Sequence, residues 1–278
     1  MILSGRAKLA GVVGWPVGHS LSPRLHGFWL DQHGIDGAYL PLAVAPERIQ
    51  STLRSLADMG FRGLNVTIPH KQAALTLCDD VAPLAARIGA VNTLIFEDGR
   101  FRGDNTDAFG FLENLRQGAP AWDPAAGPAL ILGAGGAARA VAVALLDAGA
   151  PEVRLANRTA TRAEVLAADL GGAVAAVPWA ARGVALDGVA VLVNTTSLGM
   201  TGQQPLDLDL DALPAGALVT DIVYAPLETD LLARARGRGN PAVDGLGMLL
   251  HQARPGFEAW FGVAPEVTAE LRAFVLAT

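Results

Sequence analysis

Leu130-Ile131-Leu132 runs directly into Gly133-Ala134-Gly135-Gly136-Ala137-Ala138-Arg139. A short apolar run, a glycine-rich turn and an alanine-rich stretch in that order fit few folds. They predict a buried strand whose following helix packs back on a parallel sheet. Gly133 permits the tight turn, Gly135 lets the main chain approach a pyrophosphate, and Ala138 is the third small residue that close helix–sheet packing needs. Gly136 and Ala137 would open the helix, whose free N–H groups and partial positive charge suit phosphate. A glycine turn alone also fits a plain βα connection, so the next strand matters.

That strand ends in Asn157-Arg158-Thr159. NAD-binding chains usually carry an acid here for the ribose 2′-hydroxyl, and this chain has none. A guanidinium can fork onto a 2′-phosphate, which a carboxylate would repel. Arg162 shares a helical face with Arg158 if the helix begins that early. The cofactor predicted is therefore NADP(H). Two solvated arginines at a helix start are the plain alternative.

The same strand–helix alternation covers most of the 278 residues and predicts an α/β protein. Strands are expected at 9–13, 39–44 and 64–68, with helices at 22–33, 47–59 and 71–78 between and after them. Ser22 is expected as the N-cap of the first helix, with Pro23 at its first position. Asp98-Gly99 suits a tight hairpin between 92–96 and 101–103. After a connection at 117–128 the pattern restarts, with buried strands expected at 129–132, 153–156, 174–177, 189–194 and 218–223. Helices are expected at 137–148 and 161–170, and the tail at 246–261 and 265–276 is helical in period. The expected plan is an N-terminal α/β domain with a mainly parallel sheet over 1–107, completed by helices in 245–278, and a Rossmann domain over 108–244.

Composition narrows the function classes. Hydrophobic residues make up 51% and charged residues 17%, enough for packed cores without a disorder signature. The formal net charge of -6 argues against nucleic acid or anionic lipid as a partner. Cys78 is the sole cysteine, which excludes an internal disulfide and fits a reducing cytoplasm. Met1 to Lys8 lacks an apolar core of signal-peptide length, and no run has the roughly 20 apolar residues of a membrane helix. His19, His26, His33, His70 and His251 show no metal-ligand spacing, so no metal is expected. Cys78, Trp15, Trp29 and Trp260 are read as packing residues.

Five polar segments remain where burial or plain loop would be expected. They are His19-Ser20-Leu21-Ser22-Pro23, Asn65-Val66-Thr67-Ile68-Pro69-His70-Lys71, Gly89-Ala90-Val91-Asn92-Thr93, Asp104-Asn105-Thr106-Asp107, and Asp244-Gly245-Leu246-Gly247-Met248-Leu249-Leu250-His251-Gln252. With Asn157-Arg158-Thr159, Asn194-Thr195-Thr196 and Tyr224-Ala225-Pro226-Leu227-Glu228-Thr229, and in this order, they closely resemble the shikimate dehydrogenases over nearly the whole chain. Ala108 stands where relatives often carry glycine. The resemblance implies a substrate domain, a Rossmann NADP domain, a helical return to the first domain, and NADPH-dependent reduction of 3-dehydroshikimate to shikimate.

The resemblance also implies roles. Ser20 and Ser22 would hold the substrate carboxylate, Thr67, Asn92, Asp107 and Gln252 would serve its hydroxyls, and Tyr224 would also bind the substrate. Lys71 and Asp107 would be the catalytic pair. Thr195, Gly245 and Met248 would join Gly133, Gly135, Gly136, Ala137, Asn157, Arg158, Thr159 and Arg162 at the cofactor. Chemistry agrees for Lys71, since an ammonium can stabilise charge growing on a reduced carbonyl oxygen and then donate a proton. Its plain reading is a solvated lysine. Ser22 could be only a cap and Thr67 a strand-end residue, whereas Ser20 has no capping role in this reading. A quinate or dual quinate/shikimate dehydrogenase is the nearest rival. A catalytically silent NADP-binding regulator is the rival of another class, though it has no need of a proton donor. The expected assembly is a monomer or homodimer.

Overall fold

The computed structural model describes residues 2–277; Met1 and Thr278, the outer ends of the expected domains, lie outside the described residues. The chain divides into two units, Met1–Thr106 with Leu249–Thr278, and Asp107–Met248.

In the first unit β1 (Lys8–Gly14), α1 (Ser22–Gln32), β2 (Gly37–Ala43), α2 (Ile49–Asp58), β3 (Phe61–Val66) and α3 (Lys71–Leu77) follow the predicted alternation. The short β4 (Asp80–Val81) and α4 (Pro83–Ile88) come next, then β5 (Thr93–Glu97) and β6 (Arg100–Asp104). Strand order is β2-β1-β3-β5-β6-β4. β1 pairs in parallel with β2 and β3, and β4 with β6, while β5 runs antiparallel to β3 and β6. The sheet is therefore mixed rather than simply parallel, because the Asp98-Gly99 turn reverses the chain at once. Both turn residues have positive φ, 50° and 74°, as a two-residue hairpin of this hand requires.

The second unit opens with α5 (Asp107–Gly118), a helix over residues given no element in the sequence analysis; it takes in only the first two residues of the expected 117–128 connection. It continues through β7 (Ala129–Leu132), α6 (Gly136–Asp147), β8 (Val153–Asn157), α7 (Ala160–Leu170), β9 (Val174–Pro178), β10 (Val191–Asn194), β11 (Leu218–Asp221), α8 (Asp230–Gly237) and β12 (Ala242–Val243). All five pairings are parallel in the order β12-β11-β10-β7-β8-β9. From β9 inward this is the 3-2-1-4-5-6 order of a dinucleotide-binding sheet, with its reversal between β7 and β10. β7, β10 and β11 are buried at every position, but β9 is not. The run 174–177 is an edge strand, whose alanines and valines carry no sign of which flank they occupy.

α9 (Leu246–Phe261) begins in the second unit and ends in the first, where α10 (Ala269–Leu276) follows. Trp260 donates its indole N–H to the Leu94 carbonyl at 2.9 Å, fixing α9 on the first sheet, and Arg24 on α1 donates to the carbonyls of Phe274 and Ala277. Trp29 and Phe257 are fully buried beside Trp260, so two of the three tryptophans read as packing residues are that; Trp15 is half exposed. Among the described residues no helix is long and apolar enough to cross a membrane.

Candidate active site

β1 and β3 run parallel, and β5 and β6 enter and leave the same sheet end, since Asn65 pairs with Thr93 and Thr93 with Asp104. The segments carrying Ser20 and Ser22, Thr67 and Lys71, Asn92, and Asp104 to Thr106 therefore converge at the carboxyl ends of β1, β3 and β6. That is where open α/β sheets bind ligands. Asp107 follows directly as the first residue of α5 and is buried, and Lys71 is the first residue of α3. Lys71 is partly buried and its main-chain carbonyl accepts from Val91 N–H at 2.9 Å, so the helix start is tied to the strand beside it.

Asn92 is held from several sides. Its Oδ1 accepts the Thr106 main-chain N–H at 2.8 Å and the Thr93 hydroxyl at 2.9 Å, while its Nδ2 donates to Thr106 Oγ1 at 3.1 Å and Gln252 Oε1 at 3.2 Å. Gln252 comes from α9, so the helical return brings a predicted site residue to the first sheet. His70 is pinned by a 2.8 Å contact between Nε2 and the Val44 carbonyl, which makes it a structural residue of the loop.

Two expectations for the helix entrance are corrected. Ser22 does not cap α1: the N-cap is Leu21, in helical conformation, and Ser22 already lies inside the helix and is buried. Ser20, read as lacking a capping role, accepts the Ser22 N–H on its Oγ at 3.3 Å. The proline at the next position fixed the helix start one residue earlier than the cap pattern implied. Because accepting uses only lone pairs, the Ser20 proton stays available to an anion.

In the second unit the glycine turn is built as the sequence requires. Gly133 has φ 116°, and a Cβ there would lie 2.4 Å from Thr195 Oγ1, whose hydroxyl donates to the Leu132 carbonyl at 2.7 Å. A Cβ on Gly135, by contrast, would meet nothing within 4 Å. The main chain at the α6 N-terminus thus faces open space, which is the fit a pyrophosphate needs. Asn157 Nδ2 donates to the Thr159 carbonyl at 2.8 Å and shapes the β8 turn, leaving Arg158 and Arg162 exposed. α7 starts at Ala160, so Arg158 precedes the helix and the shared helical face expected for the two arginines does not form.

A buried acid absent from the sequence reading organises the remaining loops. Asp221 accepts from Asn194 Nδ2 at 3.0 Å, from Val223 N–H at 3.0 Å and from the Thr229 hydroxyl at 2.8 Å. Burial raises its pKa, and these three bonds oppose the rise. Asn194 Oδ1 in turn accepts from the Thr196 N–H and hydroxyl, so one network shapes the segments carrying Thr195 and Tyr224. Burial also raises the Tyr224 pKa, keeping its phenol a proton donor. Gly245 and Gly247 admit close approach, since a Cβ would meet the Ile222 main chain or the Asn114 side chain. Met248 is buried. Among the described residues no group of three or more His, Cys, Asp or Glu could hold a metal ion.

The network around Asn92 includes residues with no role assigned from the sequence: Asn65, Thr93 and Thr106, which lie in the polar segments, and Tyr39, which does not. Asn65 and Thr93 are buried polar residues at the ends of β3 and β5.

A parallel sheet of this order, with a glycine turn at its reversal and an arginine in place of the acid, is that of a dinucleotide-dependent α/β oxidoreductase. Known proteins narrow the class. Residues 12–94 match the model of the shikimate dehydrogenase substrate binding domain, and residues 123–199 that of shikimate / quinate 5-dehydrogenase. The shikimate dehydrogenase (NADP(+)) of Paramagnetospirillum magneticum is 68% identical over 275 residues, covering 99% of this chain and 100% of that one. The Thermus thermophilus shikimate 5-dehydrogenase solved with NADP(H) and shikimate is 40% identical with a TM-score of 0.86, covering 96% and 98% of the two chains. The Corynebacterium glutamicum quinate dehydrogenase solved with NAD is 30% identical with a TM-score of 0.90, covering 98% and 99%. The chain belongs to the shikimate dehydrogenase family.

Proposed function

We infer that the protein is an NADP-dependent shikimate dehydrogenase, reducing 3-dehydroshikimate to shikimate in aromatic amino-acid precursor biosynthesis. The observation that carries this reading is the high identity over the full length to an NADP-specific relative. Backbone similarity alone does not choose the substrate, because the quinate dehydrogenase superposes as well as the shikimate enzymes do. Arg158, in the place of a ribose-binding acid, favours NADP.

NADPH, when bound, supplies the hydride to the ketone carbon. The chain's own residues bind, orient and handle the proton. The Ser20 and Ser22 hydroxyls hold the substrate carboxylate, Thr67, Asn92 and Gln252 take its hydroxyls, and Tyr224 is a further substrate-binding residue. Negative charge that develops on the reacting oxygen is met by the Lys71 ammonium, which then delivers Nζ–H to that oxygen. Asp107 holds the ammonium and accepts from the neighbouring hydroxyl. Gly133, Gly135, Gly136 and Ala137 form the diphosphate turn, with Asn157, Arg158, Thr159 and Arg162 at the 2′-phosphate end. Thr195, Gly245 and Met248 complete the cofactor site.

Residues 1–107 with 245–278 serve the substrate and 108–244 the cofactor. Each chain carries the whole residue set, so a monomer or homodimer suffices, and the lone Cys78 suits the cytoplasm. The test offers shikimate and quinate, each with NADP and NAD, while the absorbance of the reduced cofactor is followed. Shikimate with NADP is expected to give the highest kcat/KM; higher values with quinate and NAD would reverse the assignment.

A further inference from the structure

Behind Asn92 the hydrogen bonds form a chain with a fixed direction. Asn65 on β3 is buried, and the main-chain carbonyl of Asn92 beside it can only accept. The Asn65 Nδ2 must therefore face that carbonyl, at 3.3 Å, and it also donates to Thr93 Oγ1 at 3.3 Å. Its Oδ1 is left to accept the Tyr39 hydroxyl, at 2.6 Å. Thr93, having accepted from Asn65, has a single proton to give, and Asn92 Oδ1 at 2.9 Å is nearer than Thr106 Oγ1 at 3.3 Å. With the Thr106 N–H on that same oxygen at 2.8 Å, the amide nitrogen of Asn92 is turned towards Gln252.

We propose that Asn65 and Thr93 are positioning residues for substrate recognition: together they decide which end of the Asn92 carboxamide faces Gln252, and so which donors and acceptors meet the substrate's hydroxyls. The proposal rests on the reading that Asn92 and Gln252 bind those hydroxyls. A flipped Asn92 would set Oδ1 against Gln252 Oε1, acceptor against acceptor, and its NH₂ against the Thr106 N–H, donor against donor. Removing the Thr93 hydroxyl takes away the nearer of the two hydroxyl donors to Asn92 Oδ1, the other being Thr106 at 3.2 Å. The amide can then populate the wrong orientation, and part of the binding energy is spent turning it back. Neither Asn65 nor Thr93 needs to touch the substrate for this. Tyr39 extends the same control: its hydroxyl is committed to Asn65, and the Ser22 side chain lies beside it. One chain of hydrogen bonds thus runs from Tyr39, next to Ser22, to the hydroxyl-binding amides.

The experiment compares Thr93→Val, which keeps the shape and loses the hydroxyl, with Thr93→Ser, which keeps the hydroxyl and loses the methyl. Steady-state kinetics with shikimate and NADP are read beside thermal unfolding. Thr93→Val is expected to raise the shikimate KM roughly tenfold and to leave the NADP KM within about twofold. Thr93→Ser is expected to return the shikimate KM to near wild type while melting no higher than the valine variant. If serine and valine raise the KM alike, or if both KM values and stability change together, the residue is only part of the core and the proposal fails. Asn92→Ala separates the two levels. An unchanged shikimate KM there overturns the reading on which the proposal rests, whereas a raised KM beside a normal Thr93→Val overturns the positioning role alone. Should Thr93→Val not fold, Tyr39→Phe removes the far end of the chain. It is expected to raise the shikimate KM roughly threefold with the NADP KM unchanged, and an unaltered shikimate KM would then refute the proposal.

Discussion

Both sheets gather their candidate site residues at one end, where parallel strands finish, but they hold them by different means. At the first sheet, amides and hydroxyls bond one another, Asn65 to Thr93 to Asn92 to Gln252, so the donors and acceptors presented there depend on side-chain orientation. At the second sheet the working surface is main chain: a glycine with φ 116°, a second glycine facing open space, and a helix N-terminus. A rigid ring with several hydroxyls needs particular donors and acceptors at particular points, which only side chains supply. A diphosphate needs N–H groups and room, which the backbone supplies to any sequence with small residues at the turn. Substrate choice should therefore be sensitive to single polar substitutions in the first unit, and cofactor choice to charge at the edge of the second.

The largest effect is expected at the proton donor. Lys71→Met should lower kcat by roughly 10²-fold or more while the shikimate KM shifts much less and the NADP KM stays put. Near-normal turnover would reduce Lys71 to a solvated helix-start charge and erase the chemical difference between the two sheets. Next is the carboxylate end: Ser20→Ala/Ser22→Ala should raise the shikimate KM about tenfold or more, from losing hydrogen bonds to a charged group. Unchanged shikimate binding in a titration, with a lower melting temperature, would mean these serines only shape the entrance of α1.

Another effect concerns stability alone, is confined to acid pH, and again sets the first unit apart. His26 is fully buried and stacks on Tyr39 with ring centroids 3.8 Å apart. Burial lowers its pKa from 6.5 to about 3; the Asn65 side chain lies close enough to oppose this, though no well-formed hydrogen bond reaches either ring nitrogen. The unfolded chain takes up a proton here before the native one does. Stability from this group is thus complete above pH 6.5 and is lost as pH falls towards about 3, at about 1.4 kcal/mol per pH unit within that window. His26→Phe should flatten the pH dependence of unfolding between pH 6.5 and 4 and leave kcat at neutral pH unchanged. An identical slope in wild type and variant would place the acid sensitivity elsewhere.

The same contrast explains what could be read from the chain before its fold. The second unit was legible because Leu130 to Arg139 and Asn157 to Thr159 are local motifs, whose spacing is set within one strand, turn and helix. Segments of the first unit were recognisable as polar interruptions, but the links among them were not. Asn65 and Thr93 are 28 residues apart in sequence and meet only through antiparallel pairing of β3 with β5. Asn92 and Gln252 are separated by 160 residues and meet only because α9 returns to the first sheet. The exposure of the edge strand β9, the unassigned helix α5 and the cap expected at Ser22 share a related reason. Local preference marked them weakly, and tertiary neighbours decided.

The division of labour is tested most directly at Arg158, which stands exposed just ahead of α7 with no acid beside it for a ribose hydroxyl. The measurement is kcat/KM with NADP and with NAD, shikimate held saturating, in wild type, Arg158→Ala and Asn157→Asp. Wild type is expected to prefer NADP. Arg158→Ala should weaken NADP by about 2–3 kcal/mol and leave NAD almost untouched, since only NADP carries the 2′-phosphate that the proposed function assigns to this guanidinium. Asn157→Asp should push further the same way, because its carboxylate repels that phosphate and can accept from a free ribose hydroxyl. A wild type that prefers NAD, or an Arg158→Ala variant that depresses both cofactors equally, would contradict the assignment of cofactor choice to this edge of the second sheet.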